Sequence, residues 1–105
     1  MRLWLWIDDV RPAPSDEWMW IKSVNKAKMV IKAVVEYDKN PIEIISIDHD
    51  AGDYAKDGGD YIRLLDFIEG QFGNHQWTFH IHSANVVGVQ NMRRIIQRNG
   101  WKEVF

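Results

Sequence analysis

No cysteine occurs anywhere in the 105-residue chain. That absence excludes a disulfide framework, a thiolate zinc site and a thiol nucleophile, and it suits a reducing cytosol, so a cytoplasmic location is expected. Long apolar runs are missing too. The longest, Leu3 to Ile7, is far below the ~20 residues of a membrane span and runs straight into Asp8 and Asp9. Neither sign of charge dominates, with 13 Lys and Arg against 15 Asp and Glu. Such a balance does not suit broad coverage of duplex phosphate, so no broad duplex DNA binding is expected, and no membrane partner. Repeats, low-complexity tracts and linkers are also lacking, and residues 1–105 are expected to form one domain. What remains is an ordinary globular composition, 46% apolar and 27% charged, with six tryptophans that at this size serve mostly packing.

The hydrophobic pattern alternates between strand and helix. Leu3 to Ile7 is apolar throughout, as a strand covered on both faces would be. Arg11-Pro12-Ala13-Pro14 is loop, because two prolines so close continue neither a strand nor a helix interior. Ser23 has the chemistry of an N-cap, and Ala27, Val30, Ile31, Val34 and Tyr37 predict an amphipathic helix over 24–38, ended by Asn40-Pro41. Ile42 to Ile47 is a second strand. Tyr61, Leu64, Leu65, Ile68 and Phe72 predict a second helix stopped near Gly70 and Gly73. Trp77 to His82 is a third strand, with Trp77, Phe79 and Ile81 on one face and Thr78, His80 and His82 on the other. Asn85 is the N-cap of a third helix carrying Val89, Met92, Ile95 and Ile96, which Asn99-Gly100 closes; Trp101 to Phe105 is a final strand. The expected fold is α/β: a small receiver-like (flavodoxin-like) β-α-β-α-β-α-β sandwich with a mainly parallel four-stranded sheet. An order 2-1-3-4 covers both faces of the first strand. An order 1-2-3-4 puts all three helices on one face and leaves the other for a partner, such as a homodimer mate.

All three long strands end in ionisable residues: Asp8-Asp9, then Asp48-His49-Asp50, then His82-Ser83 with Asn85 following. The carboxyl ends of parallel strands share one edge, where open α/β sheets bind ligands. Acids also follow strands simply to start turns or cap helices, but three such tips together favour a site. Two carboxylates ~4 Å apart repel by about 4 kcal/mol at an effective dielectric near 20, so Asp8, Asp9 and Asp48 in one cluster need relief. A divalent cation supplies it, and oxygen ligands favour Mg2+. His49 and His82 offer an acid/base pair at neutral pH. The start of the third helix, Ser83, Asn85 and a bidentate Arg11 would hold a phosphate. His80 reads as a satisfied core imidazole, His75 as a solvated turn residue, and Asp57-Gly58-Gly59-Asp60 as a turn into a helix.

The segments Asp8-Asp9-Val10-Arg11-Pro12-Ala13-Pro14, Ser46-Ile47-Asp48-His49-Asp50-Ala51-Gly52, Gly59-Asp60-Tyr61 and Ile81-His82-Ser83-Ala84-Asn85-Val86-Val87-Gly88, with Met92, resemble the cyclic-phosphate processing receiver-like domain. The resemblance spans almost the whole chain. It implies a receiver fold and processing of a cyclic phosphate on a nucleotide or RNA end. It also implies a site lined by Asp8, Asp9, Asp48, His49, Asp50, His82, Ser83 and Asn85. Ala51 stands where that family usually has leucine, Val86 where it often has proline, and Lys102 is a poor match for the receiver's closing lysine. The expectation is therefore a phosphoesterase-like domain with His49, His82 and Asp50 as its catalytic group. Arg11, Ser83 and Asn85 would bind substrate, and Asp8, Asp9 and Asp48 would hold Mg2+. Its partner would be a cyclic nucleotide or an RNA cyclic-phosphate end. Two rivals stand beside it. One is a catalytically inactive receiver-like module that binds a nucleotide or protein, with Trp18 and Trp20 in the first loop stacking a base or forming an interface. The other is a Toprim-like, metal-dependent phosphotransfer site built on Asp48-x-Asp50.

Overall fold

The fold is that of a computed structural model, which describes residues 2–37 and 42–105. The elements run β1 (Leu3–Ile7), β2 (Trp18–Ile21), α1 (Val24–Tyr37), β3 (Ile42–Ile47), a 3-10 turn (Gly52–Lys56), α2 (Ile62–Phe72), β4 (Thr78–Ile81), α3 (Val86–Arg98) and β5 (Lys102–Glu103). All strand pairs are parallel, and the sheet order is β2-β1-β3-β4-β5. The receiver-like α/β architecture is as expected, with one strand more. Residues 18–21, expected as loop, pair with β1 in the register Trp4↔Trp18 to Ile7↔Ile21. Four apolar residues behind a proline-bearing loop are too few to show a period, and only the β1 edge makes them a strand.

The four strands foreseen from the sequence take the order 1-2-3-4, not 2-1-3-4, with β2 added outside the first. Each helical connection then steps the same way across the sheet. Right-handed crossovers that all step one way lay their helices on one face. Leu5, Ile7, Ile45, Ile47 and Phe79 from the strands accordingly share a core with Ala27 and Ile31 of α1, Leu64, Leu65 and Ile68 of α2, and Met92 and Ile96 of α3. The opposite face carries the alternate residues: Trp4, Trp6, Trp18, Ile44, Ser46, Thr78, His80 and His82. No helix covers it among the described residues. The all-apolar β1 is thus explained by tryptophans rather than by a second helical layer. Trp6 packs against Trp18 at 5.6 Å and stacks on His82 at 3.8 Å with the rings 5° from parallel. Its indole N–H donates to the Arg11 carbonyl at 2.8 Å, which draws the first loop over it.

The caps read from the sequence are in place. Ser23 Oγ accepts the Lys26 N–H at 3.1 Å, and Asn85 Oδ1 accepts the Gly88 N–H at 2.9 Å. Gly100 closes α3 with φ +68°. The first helix is described to Tyr37; the expected stop at Asn40-Pro41 lies outside the described residues. The last strand shortens to two residues, and its Glu103 takes a bidentate pair from Arg93 of α3. His75 is not a freely solvated turn residue: it packs between Phe72 and Trp77, with Nδ1 buried.

Phe79 is fully buried at the centre of the core and stacks on Trp101 at 4.9 Å. Phe79→Ala is expected to cost about 3–5 kcal/mol, seen as a lower urea midpoint at unchanged m-value. A loss below 1 kcal/mol would contradict this packing.

Candidate active site

The three strand tips lie in one row because each continues the ladder of its neighbour. Asp8 N–H donates to the Ile21 carbonyl at 3.2 Å, Asp48 N–H to Ile7 at 3.0 Å, and His82 N–H to Ile47 at 3.0 Å. Residues 40 and 74 positions from Asp8 are thereby brought beside it. One donor oxygen from each of Asp8, Asp9 and Asp48 lies within 4.8 Å of the others.

Asp8 is fully buried and firmly held. Its Oδ1 accepts the N–H groups of Val10 at 3.0 Å and Arg11 at 2.8 Å, and its Oδ2 meets His82 Nε2 at 2.9 Å. Burial pushes this carboxyl up, but the two backbone N–H groups and the His82 ring outweigh it and leave it below its ordinary value. The Trp20 indole N–H donates to the Asp8 carbonyl at 2.8 Å, and Arg11 Nη1 donates to the His82 carbonyl at 3.0 Å. The first loop is therefore tied to β2 and β4 at once. Asp48 Oδ1 accepts the N–H of His49 at 2.7 Å.

Asp9 moves the other way. Burial and then the charges of Asp8 and Asp48 raise its pKa, against its own backbone N–H. Its carboxylate lies against Gly52, whose φ of +55° and missing Cβ admit it; a methyl group there would overlap Asp9 Oδ2. Tyr61 is also buried nearby and donates its hydroxyl to the Lys22 carbonyl at 2.7 Å; burial, followed by the same three carboxylates, pushes its phenol well up. Among the described residues no lysine or arginine forms an ion pair with Asp8, Asp9 or Asp48. An all-oxygen, mutually repelling donor set of this kind fits a hard divalent cation such as Mg2+.

The second cluster sits where β3 faces the start of α3. His49 Nδ1 is 2.8 Å from Asp50 Oδ1, and Asn85 Nδ2 reaches both Asp50 oxygens at 3.4 Å. Asn85 Nδ2 also lies 3.3 Å from His49 Nδ1, and the shorter Asp50 contact assigns that nitrogen a hydrogen donated to Asp50; in the neutral ring Nε2 is then the lone pair. The same bond to His49 holds the Asp50 carboxyl below its ordinary value against the opposing desolvation, and Asn85 adds to it. Gly88 in the first turn of α3 makes room for the ring, since a Cβ there would come 2.5 Å from it. Ser83 Oγ accepts the Asn85 N–H at 3.1 Å, which turns the chain into the helix.

His82 is placed differently. Its Nε2 is on Asp8 and its Nδ1 is 2.8 Å from Ser46 Oγ, so both ring nitrogens are engaged within the protein. Burial lowers its pKa despite the carboxylates of Asp8 and Asp48. Sequence reading gave Ser46, Trp6, Gly52 and Tyr61 no place in the site. The one signal for Ser46 in the sequence is a hydroxyl set in a run of isoleucines; its burial and its pairing with His80 come from the fold.

A family model for the cyclic-phosphate processing receiver domain matches residues 3–98. The chain belongs to that family. No curated protein and no solved structure matches it. The matched span of this receiver domain contains every residue of both clusters. No described helix is long and apolar enough to cross a membrane.

Two outcomes test this electrostatic picture. Ionised Asp9 has a raised pKa in the folded state, so its charge opposes folding above that pKa. Asp9→Asn is expected to raise the melting midpoint in EDTA and to abolish the gain that Mg2+ gives the unsubstituted chain, about 2.7 kcal/mol at 100 times Kd. A variant that still responds to Mg2+ would contradict the cluster. For His82 the folded-state pKa lies below 6.5, so its contribution is complete above 6.5 and is lost as pH falls from there toward the lower value. His82→Gln keeps a donor toward Asp8 without titrating, and thermal melts across pH 5–7 are expected to show a flatter slope. Equal slopes would mean the ring is not held neutral.

Proposed function

We propose that this receiver domain hydrolyses a cyclic phosphodiester of a nucleotide or an RNA end at the carboxyl edge of its sheet. The observation that carries the reading is the Asp48-His49-Asp50 block. It sends one carboxylate into the Asp8, Asp9 cluster and sets the next residue's imidazole on Asp50 through Nδ1, which in the neutral ring leaves Nε2 to accept a proton. This is the arrangement a general base needs, with an orienting carboxylate behind it.

Asp9 and Asp48, with Asp8 behind them, would hold a divalent cation, which when bound supplies positive charge to phosphate oxygens. His49 Nε2 takes a proton from water as the water oxygen bonds to phosphorus. The P–O bond of the ring breaks, and the ester oxygen leaves and takes a proton from solvent water while the His49 imidazolium releases its own to solvent, giving a phosphomonoester. Ser83, whose hydroxyl hydrogen is not needed for its turn, and the exposed guanidinium of Arg11 are the phosphate-binding donors at the rim. Asn85 spends its amide on Asp50 and its oxygen on Gly88, so its part is to orient the His49–Asp50 pair and the helix start. Of the expected acid/base pair, His49 is the proton acceptor in this reading and His82 holds Asp8.

The engaged nitrogens of His82 also favour a second reading, a module that binds the nucleotide without turning it over. One assay separates the two. Purified chain is offered 2′,3′- and 3′,5′-cyclic nucleotides with Mg2+ or EDTA. Hydrolysis is expected with Mg2+ and to fall by about 10²–10⁴-fold in His49→Ala. Binding without product supports the second reading, and undiminished turnover in His49→Ala removes the base assignment.

A further inference from the structure

The helix-free face of the sheet carries a polar chain that the proposed chemistry does not use. Ser46 Oγ lies 2.8 Å from His80 Nδ1 and 2.8 Å from His82 Nδ1, and His82 Nε2 lies 2.9 Å from Asp8 Oδ2. Ser46 is fully buried and pairs in register with His80, so its hydroxyl sits between two imidazoles one pleat repeat apart. Their rings are 6.2 Å apart and 28° from parallel.

A hydroxyl has one hydrogen to give. The Asp8 carboxylate only accepts: its other oxygen already takes two backbone N–H groups. A neutral His82 ring must therefore carry its hydrogen on Nε2. Nδ1 of the neutral ring is then a lone pair, and Ser46 must donate to it. Ser46 has nothing left to give His80, so Nδ1 of His80 must carry a hydrogen and donate to Ser46. Every donor in the chain points toward Asp8. Trp6, stacked 3.8 Å from His82, holds the ring plane but is indifferent to which nitrogen bears the hydrogen. That choice is made by the Asp8 carboxylate at one end of the chain and is backed at the other by Ser46 and His80.

We propose that His80 is a positioning residue for the carboxylate cluster: by donating to Ser46 it aims the Ser46 hydroxyl at His82 Nδ1, and so reinforces the His82 tautomer that the Asp8 carboxylate requires. Its value to catalysis rests on the function proposed above, but the tautomers are read without turnover. The reason His80 has to be ordered is chemical. A free neutral histidine in water prefers its hydrogen on Nε2, and the Ser46 contact demands the opposite.

Ring nitrogen NMR of the 15N-labelled full chain, without metal and at about pH 8, where free histidine is neutral, reads both rings. The expected result is hydrogen on Nδ1 of His80 and on Nε2 of His82. In His80→Asn the side-chain amide keeps a donor near the Nδ1 position, and the His82 signature and Mg2+ affinity should stay within about twofold. In His80→Phe the donor is gone. The Ser46 hydroxyl is then free to turn away, so the His82 Nδ1 signal should shift toward that of a nitrogen without a hydrogen-bond donor, and Mg2+ affinity should drop about threefold, less than the ~10–100-fold of a partner bonded directly to a ligand. Nε2-protonated His80 in the unsubstituted chain overturns the proposal, as does an unchanged His82 signature in a folded His80→Phe. If His80→Phe does not fold, the His80 tautomer of the unsubstituted chain decides alone. Correct tautomers without hydrolysis of any cyclic phosphate would remove the catalytic reading and leave this one standing.

Discussion

The hydrogen bond between His82 and Asp8 is the constraint around which this edge of the molecule is organised. It joins residues 74 positions apart, both almost wholly withdrawn from solvent. An unpartnered carboxylate there would be costly, and an imidazole there without an acceptor only somewhat less so. The bond forms only if β1, β3 and β4 end at the same height. The parallel registers Ile7↔Ile47 and Ile47↔Ile81 set that height. A one-residue slip would turn Ser46, His80 and His82 into the helical core and the isoleucines outward. The polar chain and the apolar core therefore enforce the same register from opposite faces, and the site inherits its geometry from both.

The loop after β1 shows how closely site and fold share bonds. Asp8 closes a tight turn with Val10 and Arg11. Arg11 returns its carbonyl to Trp6 and its guanidinium to the carbonyl of His82. No helix lies between β1 and β2, so this loop and the tryptophans of the two strands it joins stand where a doubly covered sheet would carry one. A face closed by Trp6, Trp18 and His82 can admit a buried serine and two histidines. A face sealed by a helix would have to supply their partners itself. The missing crossover helix and the polar network are two aspects of one packing solution.

Much of this was legible in the residues. The alternation of apolar runs gave three helices and four of the strands, Ser23 and Asn85 announced their caps, and the three acidic or imidazole tips implied a shared edge. The unread parts have physical reasons. β2 is an edge strand of four residues whose signal exists only against β1. Hydrophobicity on both sides of β1 has two structural causes, a second helix layer or an aromatic cluster, and period alone does not separate them. Gly52 and Gly88 matter because Asp9 and the His49 ring come within a methyl group's width of them, a closeness absent from any one-dimensional spacing. Ser46 is one hydroxyl among isoleucines. It acquires meaning only when the register sets it opposite His80 and diagonal to His82. The two histidines of the expected acid/base pair looked equivalent because donors and acceptors cannot be counted before partners are known.

That count also orders the three carboxylates. Asp8 accepts from two N–H groups and an imidazole, so its position is fixed and its remaining capacity small. Asp48 gives one oxygen to the N–H of His49. Asp9 stands closest to the unfavourable limit, with its pKa driven up by burial and by the charges on either side. A cluster selected for stability alone would relax by turning one side chain to solvent. Here the relaxation is blocked where it would be easiest. Asp8 is pinned by the chain that begins at His80, and Asp9 is received by a backbone that only glycine can adopt without a clash. Local repulsion held in place by several independent contacts is what the proposed cation site requires. It is the physical reason to read this edge as a site rather than as three turns that happen to begin with aspartate.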